Sequence, residues 1–241
     1  MKKDKRDKTA SVQSEEKAVY GKDLSFAAAE AYRLLRTNIL FALPDEKKCR
    51  VIGVTSASSG EGKSTTALNL AYMLAEAGER TLLLEGDMRL PTIAKRLGLR
   101  RAPGLSNVLA GLSEVQEALQ ESGLHEQLWI ISSGDIPPNP SELLGMGGIR
   151  DLLTSLEKEY DFIVMDLPPV MEVSDPLVAS RLTDGMIVVV RQSYASRRAV
   201  AGAMQQLHYA GAKVLGFVLS RASVGRGEKY YQQYGRVYKG T

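Results

Sequence analysis

Apolar residues along this chain fall into short runs, and longer segments with one apolar face separate them. Six of the runs have the near-continuous apolar character of strands that are covered on both faces of a parallel sheet. These predicted strands are 51–55, 81–86, 128–132, 161–166, 186–191 and 213–219. The segments with helical periodicity are 63–77, 91–98, 105–121, 141–158, 174–183 and 196–210. This alternation predicts an α/β fold with an open, doubly wound, mostly parallel sheet and helices on both faces.

The two ends of the chain differ from this alternating body. Residues 1–22 are polar and basic, and we expect them to form a disordered tail. Residues 24–41 have the periodicity of an amphipathic helix that precedes the first strand. Residues 222–241 are rich in Gly, Tyr, Gln and Arg, which indicates a second, flexible tail. The sequence therefore predicts a single domain over residues 23–221 with a tail at each end.

Composition excludes several classes of protein. The chain has 241 residues, enough for one α/β domain with a substantial core. The net charge of +3 is too small to argue for nucleic-acid binding, and we expect none. The only cysteine is Cys49, so a disulfide within the chain is excluded, as suits a reducing compartment. We expect no signal peptide, because the N-terminus is polar, and no apolar run has the length that spans a bilayer.

The strongest functional signal is a phosphate-binding loop of Walker A type. The segment ASSGEGKST begins at Ala57, which replaces the usual first glycine. An apolar run leads into it and a helical pattern leads out, the arrangement in which loop amides and a helix N-terminus bind phosphate. We expect Lys63 to contact the β- and γ-phosphates of ATP and Ser64 to bind Mg²⁺. The other predicted nucleotide-binding residues are Ser59, Gly60, Glu61, Gly62 and Thr65.

Two further motifs place carboxylates at the ends of predicted strands. The segment FIVMDLPP ends an apolar run in Asp166, which is typical of a Walker B magnesium ligand. The segment LLLEGDMR places Glu85 and Asp87 two residues apart. If the strand continues, both carboxylates point toward the metal and the γ-phosphate, with Asp87 as a magnesium partner and Glu85 as a general base or a metal-side residue. Arg89 would contact phosphate or hold the loop.

Together these motifs resemble those of the bacterial tyrosine kinases of capsule and exopolysaccharide operons, in the form whose cytoplasmic kinase is a separate chain. The resemblance runs from about residue 27 to the C-terminus and includes SASSGEGKST, GDMRLP, IVMDLPPV, GLSNVLAG and PPNPSELL. The segment AEAYRLLRTNI resembles the oligomerisation helix of the family, with Glu30, Arg33 and Arg36 on one face. The tail KYYQQYGRVYKG resembles the family's autophosphorylation substrate. Its tyrosines are Tyr230, Tyr231, Tyr234 and Tyr238.

The resemblance implies an ATP- and Mg²⁺-dependent protein-tyrosine kinase that regulates capsular or exopolysaccharide synthesis or export. It implies that Lys63, Glu85, Asp87 and Asp166 are catalytic, and that Ser64 holds the metal with the two aspartates. The kinase would form a ring-like homo-oligomer in which the tail of one subunit enters the site of the next. A membrane adaptor of the polysaccharide co-polymerase type would activate this cytoplasmic chain and keep it at the inner face of the cell membrane. A cognate tyrosine phosphatase and other protein substrates are further expected partners.

One position departs from the family pattern, and two alternatives stay open. The family usually has Asp-x-Asp where this chain has Glu85-Gly86-Asp87, and a displacement of about 1 Å can cost on the order of a hundredfold in rate. The first alternative is therefore a weakened kinase that acts as a nucleotide-controlled assembly module. The second is a P-loop positioning ATPase of the septum-site and partition type. Those ATPases carry a lysine early in the phosphate loop, where this chain has Ser58.

Overall fold

In the computed structural model, residues 19–43 and 47–222 are described, and they form one sheet with helices on both faces. The predicted N-terminal tail up to residue 18 and the four predicted acceptor tyrosines lie outside the described residues. The strands are Arg50–Ser56 (β1), Thr81–Glu85 (β2), Leu119–Glu121 (β3), Leu128–Ile131 (β4), Phe162–Asp166 (β5), Gly185–Arg191 (β6) and Val214–Ser220 (β7).

The sheet has the topology of a doubly wound α/β fold. Its strand order is β3-β4-β2-β5-β1-β6-β7, and β3 pairs antiparallel with β4 while the other neighbours pair in parallel. The strands β5, β1 and β2 therefore end along one edge of the sheet, with β5 between the other two. Ligands of such folds bind at the carboxyl edge of the strands. The predicted fold class is confirmed.

Helices cover both faces of the sheet. They are Phe26–Ala42 (α1), Lys63–Glu76 (α2), Ile93–Leu97 (α3), Leu105–Leu109 (α4), Val115–Ala118 (α5), Pro140–Gly145 (α6), Gly148–Leu156 (α7), Asp175–Ala179 (α8) and Arg197–Tyr209 (α9). Short 3-10 helices span Gly21–Asp23 and Ser180–Leu182. None of these described helices has the length and apolarity needed to cross a membrane.

Two apolar cores lie on opposite faces of the sheet. Leu83 packs into the core that contains α2, whereas Leu82 and Leu84 pack into the core that contains residues of α7 and α9. Successive side chains of a strand point to opposite faces, so continuous apolar runs are needed to fill both cores. Both ends of each of the six predicted strands agree with the structure to within one residue.

The predicted helices are interrupted more often than the sequence pattern indicates. The single helix predicted over 105–121 is wrong, because this segment forms α4, α5 and the edge strand β3. The chain turns between α4 and α5 at Gly111, whose φ of 69° favours glycine. The helix predicted over 141–158 is two helices, α6 and α7, and the one predicted over 174–183 is α8 followed by a 3-10 turn. A three-residue strand is too short to show a period of two, so β3 was not predicted.

The folded body begins earlier than predicted. Residues 19–22 belong to it, because Gly21 is buried and its amide donates a hydrogen bond to Asn69 Oδ1 at 3.1 Å. A Cβ atom on Gly21 would lie 3.1 Å from the ring of Tyr72, so this position has little room for a side chain. The helix predicted over 24–41 is α1, and its start is set by Ser25, whose hydroxyl accepts a hydrogen bond from the Ala28 amide.

Candidate site for nucleotide binding and phosphoryl transfer

The predicted phosphate loop lies between the end of β1 at Ser56 and the start of α2 at Lys63. Gly60 and Gly62 have φ angles of 77° and 98°, a region that residues with a Cβ rarely adopt, which explains why these two positions are glycine. Ala57 has no positive φ and is fully buried, so alanine can replace the usual first glycine there. The sequence motif thus has the strand–loop–helix surroundings that phosphate binding requires.

Six consecutive amides of the loop are not engaged by the protein. The amides of residues 60–65 donate to no acceptor within the described ranges of the chain, 19–43 and 47–222. The preceding amides, of Ser58 and Ser59, donate to Glu61 Oε1 at 2.9 Å and to Glu172 Oε1 at 2.7 Å. Unengaged amides at the start of a long helix fit the oxygens of a bound phosphate chain, because the helix dipole also favours negative charge there.

Lys63 lies among carboxylates that β2 and β5 bring to the same edge of the sheet. Its Nζ atom is 2.6 Å from Asp87 Oδ2, 3.8 Å from Asp166 Oδ1 and 3.4 Å from Ser64 Oγ. Burial lowers the pKa of Lys63, but the charges of Asp166 and Asp87 outweigh that effect and raise it. The lysine therefore stays a cation, and four of the predicted site residues form one group.

Asp166 has the burial and the free carboxylate oxygens that are expected of a magnesium ligand. Its side chain is fully buried, and neither carboxylate oxygen has a hydrogen-bond partner among the described residues. Burial raises the pKa of Asp166 to about 6, although the Lys63 ammonium acts in the opposite direction. A carboxylate that lies near the Lys63 ammonium and the Ser64 hydroxyl fits Mg²⁺, which binds through few protein ligands and fills its other positions with water and phosphate. Within the described residues, no group of three or more His, Cys, Asp or Glu side chains could hold a metal ion.

The Glu85 carboxylate is bound by backbone amides, and its predicted position facing the metal beside Asp87 stays a prediction. Its Oε1 atom accepts hydrogen bonds from the amides of Thr92 at 2.6 Å and Ile93 at 2.5 Å, and Oε2 accepts from the Ser133 amide at 3.1 Å. The strand β2 ends at Glu85, so the alternation expected of a strand does not extend to Asp87. Three backbone donors thus occupy this carboxylate, and a role for Glu85 as general base stays a prediction without a supporting contact.

Arg89 holds the loop that follows β2, which was one of its two expected roles. Its Nε and Nη2 atoms donate to the two carboxylate oxygens of Asp175 at 2.9 and 3.0 Å, and the Asp175 side chain is fully buried. Bidentate pairs of this kind fix geometry as well as charge. Asp175 is not among the predicted site residues, because its only signal in the sequence is an acidic residue at the start of a short helix. The same loop is held by Asp87, whose Oδ1 accepts a hydrogen bond from the Leu90 amide at 3.0 Å.

Of the three residues predicted to pair subunits, Arg33 and Arg36 contact α2 of their own chain, and Glu30 contacts Arg33. Arg33 bonds to Glu30 at 2.5 Å and to Glu76 at 3.4 Å, and Arg36 donates to the Met73 carbonyl at 2.7 Å. The side chains of Glu30 and Arg33 remain 39% exposed, so a neighbouring subunit can still reach them. Their role in an interface between subunits stays a prediction.

Comparison with known proteins gives relatives that match most of the chain. A family model described as an AAA domain matches residues 49–212. The chain is 35% identical to the tyrosine-protein kinase YwqD of Bacillus subtilis over 202 residues, 84% of each chain. The solved structure of the chimerical protein CapA2B2 matches with a TM-score of 0.76 and 38% identity, over 80% of this chain and 84% of that one. The septum site-determining protein MinD of Pyrococcus horikoshii, complexed with Mg-ADP, matches with a TM-score of 0.60 and 25% identity, over 77% of this chain and 76% of that one.

Proposed function

The chain belongs to the family of bacterial tyrosine kinases that act in capsule and exopolysaccharide synthesis, and on this premise we propose that it phosphorylates its own C-terminal tail. The acceptors are Tyr230, Tyr231, Tyr234 and Tyr238. The observation that carries the proposal is the position of Lys63 between Asp87 and Asp166, beside six unengaged amides of the phosphate loop. This group combines the cation, the amides and the metal-binding carboxylate on which phosphoryl transfer depends.

Each residue of the group has a proposed role in binding ATP and Mg²⁺. The amides of residues 60–65 cradle the phosphates, and Lys63 neutralises the negative charge that develops during transfer. Ser64 and Asp166 hold the magnesium ion, and bound Mg-ATP supplies the phosphoryl group to the tyrosine hydroxyl. The Oδ2 atom of Asp87 lies 2.6 Å from Lys63 Nζ, so Asp87 is close enough to assist the two magnesium ligands. The P-loop fold binds nucleotide and magnesium in MinD as well, which supports this part of the proposal.

Asp87 is the carboxylate that we propose as the proton acceptor. A free tyrosine hydroxyl has a pKa near 10, so its attack is helped by a base at the site. Glu85 is engaged by three backbone amides, whereas the Oδ2 atom of Asp87 has the Lys63 ammonium as its one hydrogen-bond donor among the described residues. When Lys63 moves onto phosphate, this oxygen is released for another partner. Asp87 is therefore better placed than Glu85 to take the proton of the incoming hydroxyl.

We propose that transfer occurs in trans within a homo-oligomer. The surface of α1 supports an assembly, because Leu34 is 61% exposed and Phe41 is 87% exposed on the same helix as Glu30, Arg33 and Arg36. Apolar side chains exposed in this way are typical of surfaces that bind another protein. Each phosphotyrosine adds roughly −1.5 to −2 charges, so a fully phosphorylated tail would loosen its hold on an acidic site.

Family membership also supports an activating partner at the membrane. We propose an adaptor of the polysaccharide co-polymerase type, which holds the kinase at the inner face of the cell membrane. A cognate tyrosine phosphatase would remove the phosphate, and further protein substrates would be modified by the same site. These partners are proposed from the family alone.

The first experiment is phosphopeptide and intact-mass analysis after incubation of the full chain with Mg-ATP. We expect phosphate on the four tail tyrosines in the wild type, and none in Lys63→Met. The control is Lys95→Met, which removes an exposed lysine on α3 and should leave the phosphate unchanged. Phosphate that persists in Lys63→Met would contradict the proposed site.

A mixture of two variants separates transfer in trans from transfer in cis. Lys63→Met supplies a tail but no activity, and a chain truncated after residue 228 supplies activity but no tail. Phosphate on the Lys63→Met chain supports transfer between subunits, whereas its absence, with an active wild type, would show that site and tail must share one chain. ATP hydrolysis without any phosphotyrosine would favour the positioning ATPase. ATP binding without hydrolysis or transfer would favour the assembly module.

A further inference from the structure

Every carbonyl group of the phosphate loop from Ser56 to Gly62 accepts a hydrogen bond. The donors, in chain order of the carbonyls, are Val170 N, Met171 N, Ser56 Oγ, Tyr194 Oη, Arg191 Nη1, Ser220 Oγ and Thr66 N. A peptide unit that turns its carbonyl to one side turns its amide to the other. The carbonyls of residues 59–62 share their peptide units with the amides of residues 60–63, so four of the six unengaged amides face away from these donors.

Three consecutive carbonyls are bound by side chains from β6, β7 and the turn after β6. The Tyr194 hydroxyl donates to Ser59 O at 3.3 Å, and Arg191 Nη1 donates to Gly60 O at 3.2 Å. The Ser220 hydroxyl donates to Glu61 O at 2.5 Å. We name Arg191, Tyr194 and Ser220 the outer brace. These residues lie on the opposite side of β1 from the carboxylates of β2 and β5, because β6 pairs with β1 and β7 pairs with β6.

The backbone at Ser193 is strained, and this strained residue directly precedes Tyr194, which contacts the phosphate loop. Ser193 has a φ of 57°, a conformation that costs a residue with a Cβ roughly 1 kcal/mol. The strained turn places the Tyr194 ring 4.7 Å from the Arg191 guanidinium and within 4 Å of the position of a Cβ on Gly60. Strain of this kind tends to occur where function requires a fixed geometry. The turn thus holds two of the three brace residues against the loop.

We propose that the outer brace positions the phosphate loop for nucleotide, so that Arg191, Tyr194 and Ser220 determine affinity for the phosphates without touching them. The inference rests on the nucleotide-binding part of the proposed function and adds residues that the Walker motifs do not contain. A loop whose carbonyls are fixed from outside presents its amides in the bound arrangement before nucleotide arrives. The affinity for nucleotide then rises, because the loop loses less conformational entropy when the nucleotide binds.

The test is the affinity for Mg-ADP, measured by calorimetry on the full chain. Tyr194→Phe and Ser220→Ala each remove one hydrogen bond and keep the shape of the side chain almost unchanged. We expect each to weaken Mg-ADP binding by about three- to tenfold, and the double variant to weaken it further, since a neutral hydrogen bond contributes about 0.5–1.5 kcal/mol. Phosphates are held alike before and during transfer, so the KM for ATP should rise while kcat changes little.

Matched variants separate positioning from a general loss of stability. Tyr209→Phe removes an exposed hydroxyl on α9, and Ser155→Ala removes a hydroxyl that donates to the Leu152 carbonyl on α7. Neither should change Mg-ADP affinity, whereas Ser220→Thr, which keeps the hydroxyl, should restore it. Unchanged affinity in both Tyr194→Phe and Ser220→Ala, or equal losses in the control variants, would overturn the inference. A wild type that binds Mg-ADP but transfers no phosphate would contradict the kinase proposal alone, and the affinities would still decide the role of the brace.

Discussion

The two sides of the phosphate loop are held by different kinds of contact. On the side of β2 and β5, Lys63 contacts two buried aspartates, and Arg89 pairs with the fully buried carboxylate of Asp175. On the side of β6 and β7, Tyr194 is 55% exposed and donates a neutral hydrogen bond to a loop carbonyl. The first side concentrates charge among buried carboxylates. The second side fixes the shape of the backbone at the surface.

The difference determines how each side responds to the loss of one partner. A buried charge that loses its partner keeps its full desolvation cost, so breaking such a pair is strongly destabilising. A carbonyl at the surface that loses a donor can bind water instead, so its loss costs little. We therefore expect variants on the charged side to affect both folding and chemistry. Variants on the outer side should affect mainly nucleotide affinity.

The largest contrast is between two arginine-to-methionine variants, one on each side of the loop. Arg89→Met leaves the buried Asp175 carboxylate unpaired, and we expect it to lower the free energy of unfolding by about 3–5 kcal/mol. Arg191→Met removes a partly exposed guanidinium, and we expect it to lower the same quantity by about 1 kcal/mol or less. Urea unfolding of both variants at neutral pH measures the difference.

A double variant provides the control for this contrast. Arg89→Met combined with Asp175→Leu removes the buried charge as well as its partner, and most of the lost stability should return. Equal losses of unfolding free energy in Arg89→Met and Arg191→Met would contradict the expected difference between the two sides of the loop.

A smaller effect is expected from Glu85→Asp, which restores the residue usual in the family. The shorter side chain cannot contact the amides of Thr92, Ile93 and Ser133 together, so at least one buried amide loses its acceptor. We expect a loss of about 1–3 kcal/mol in the free energy of unfolding and no gain in tail phosphorylation. The measurements are urea unfolding and phosphopeptide analysis in parallel. Faster phosphorylation in this variant would instead support the sequence-based expectation that the glutamate restrains the kinase.

The smallest effect is a pH dependence on the charged side. Burial raises the pKa of Asp166 from 3.8 to about 6, so the folded protein binds the proton more readily than the unfolded chain does. The stabilisation that protonated Asp166 gives to the folded state is present in full below pH 3.8, and it is lost as the pH rises through about 6. The difference in unfolding free energy between the wild type and Asp166→Asn should therefore fall over this range. A difference that stays constant with pH would show that Asp166 titrates normally.

Binding of Mg-nucleotide should follow the opposite trend. The ion requires the ionised carboxylate, so affinity should increase as the pH rises from about 5 to 7. Calorimetry with Mg-ADP at several pH values measures this trend, and Asp166→Asn provides the baseline without the carboxylate.

Much of the fold follows from local pattern in the sequence. The strands of the centre are continuous apolar runs because both of their faces are buried, so their positions could be predicted to within a residue or two. The phosphate loop was predictable for a related reason, since the positive φ angles of Gly60 and Gly62 demand glycine. The interrupted helix over 105–121 could not be found in this way. Its edge strand β3 depends on pairing with β4, which is not a local property of the segment.

The sequence by itself determined the class of fold, the phosphate loop and the identity of the residues that contact it at β2 and β5. Only the tertiary structure decided which way those side chains face. Glu85 binds three backbone amides because β2 ends there, and Arg89 finds a partner 86 residues away at Asp175. The outer brace has no motif at all, because a hydrogen bond to a backbone carbonyl can come from any donor that the fold brings close. Chemistry that needs a particular side chain leaves a pattern in the sequence, whereas support for the backbone does not.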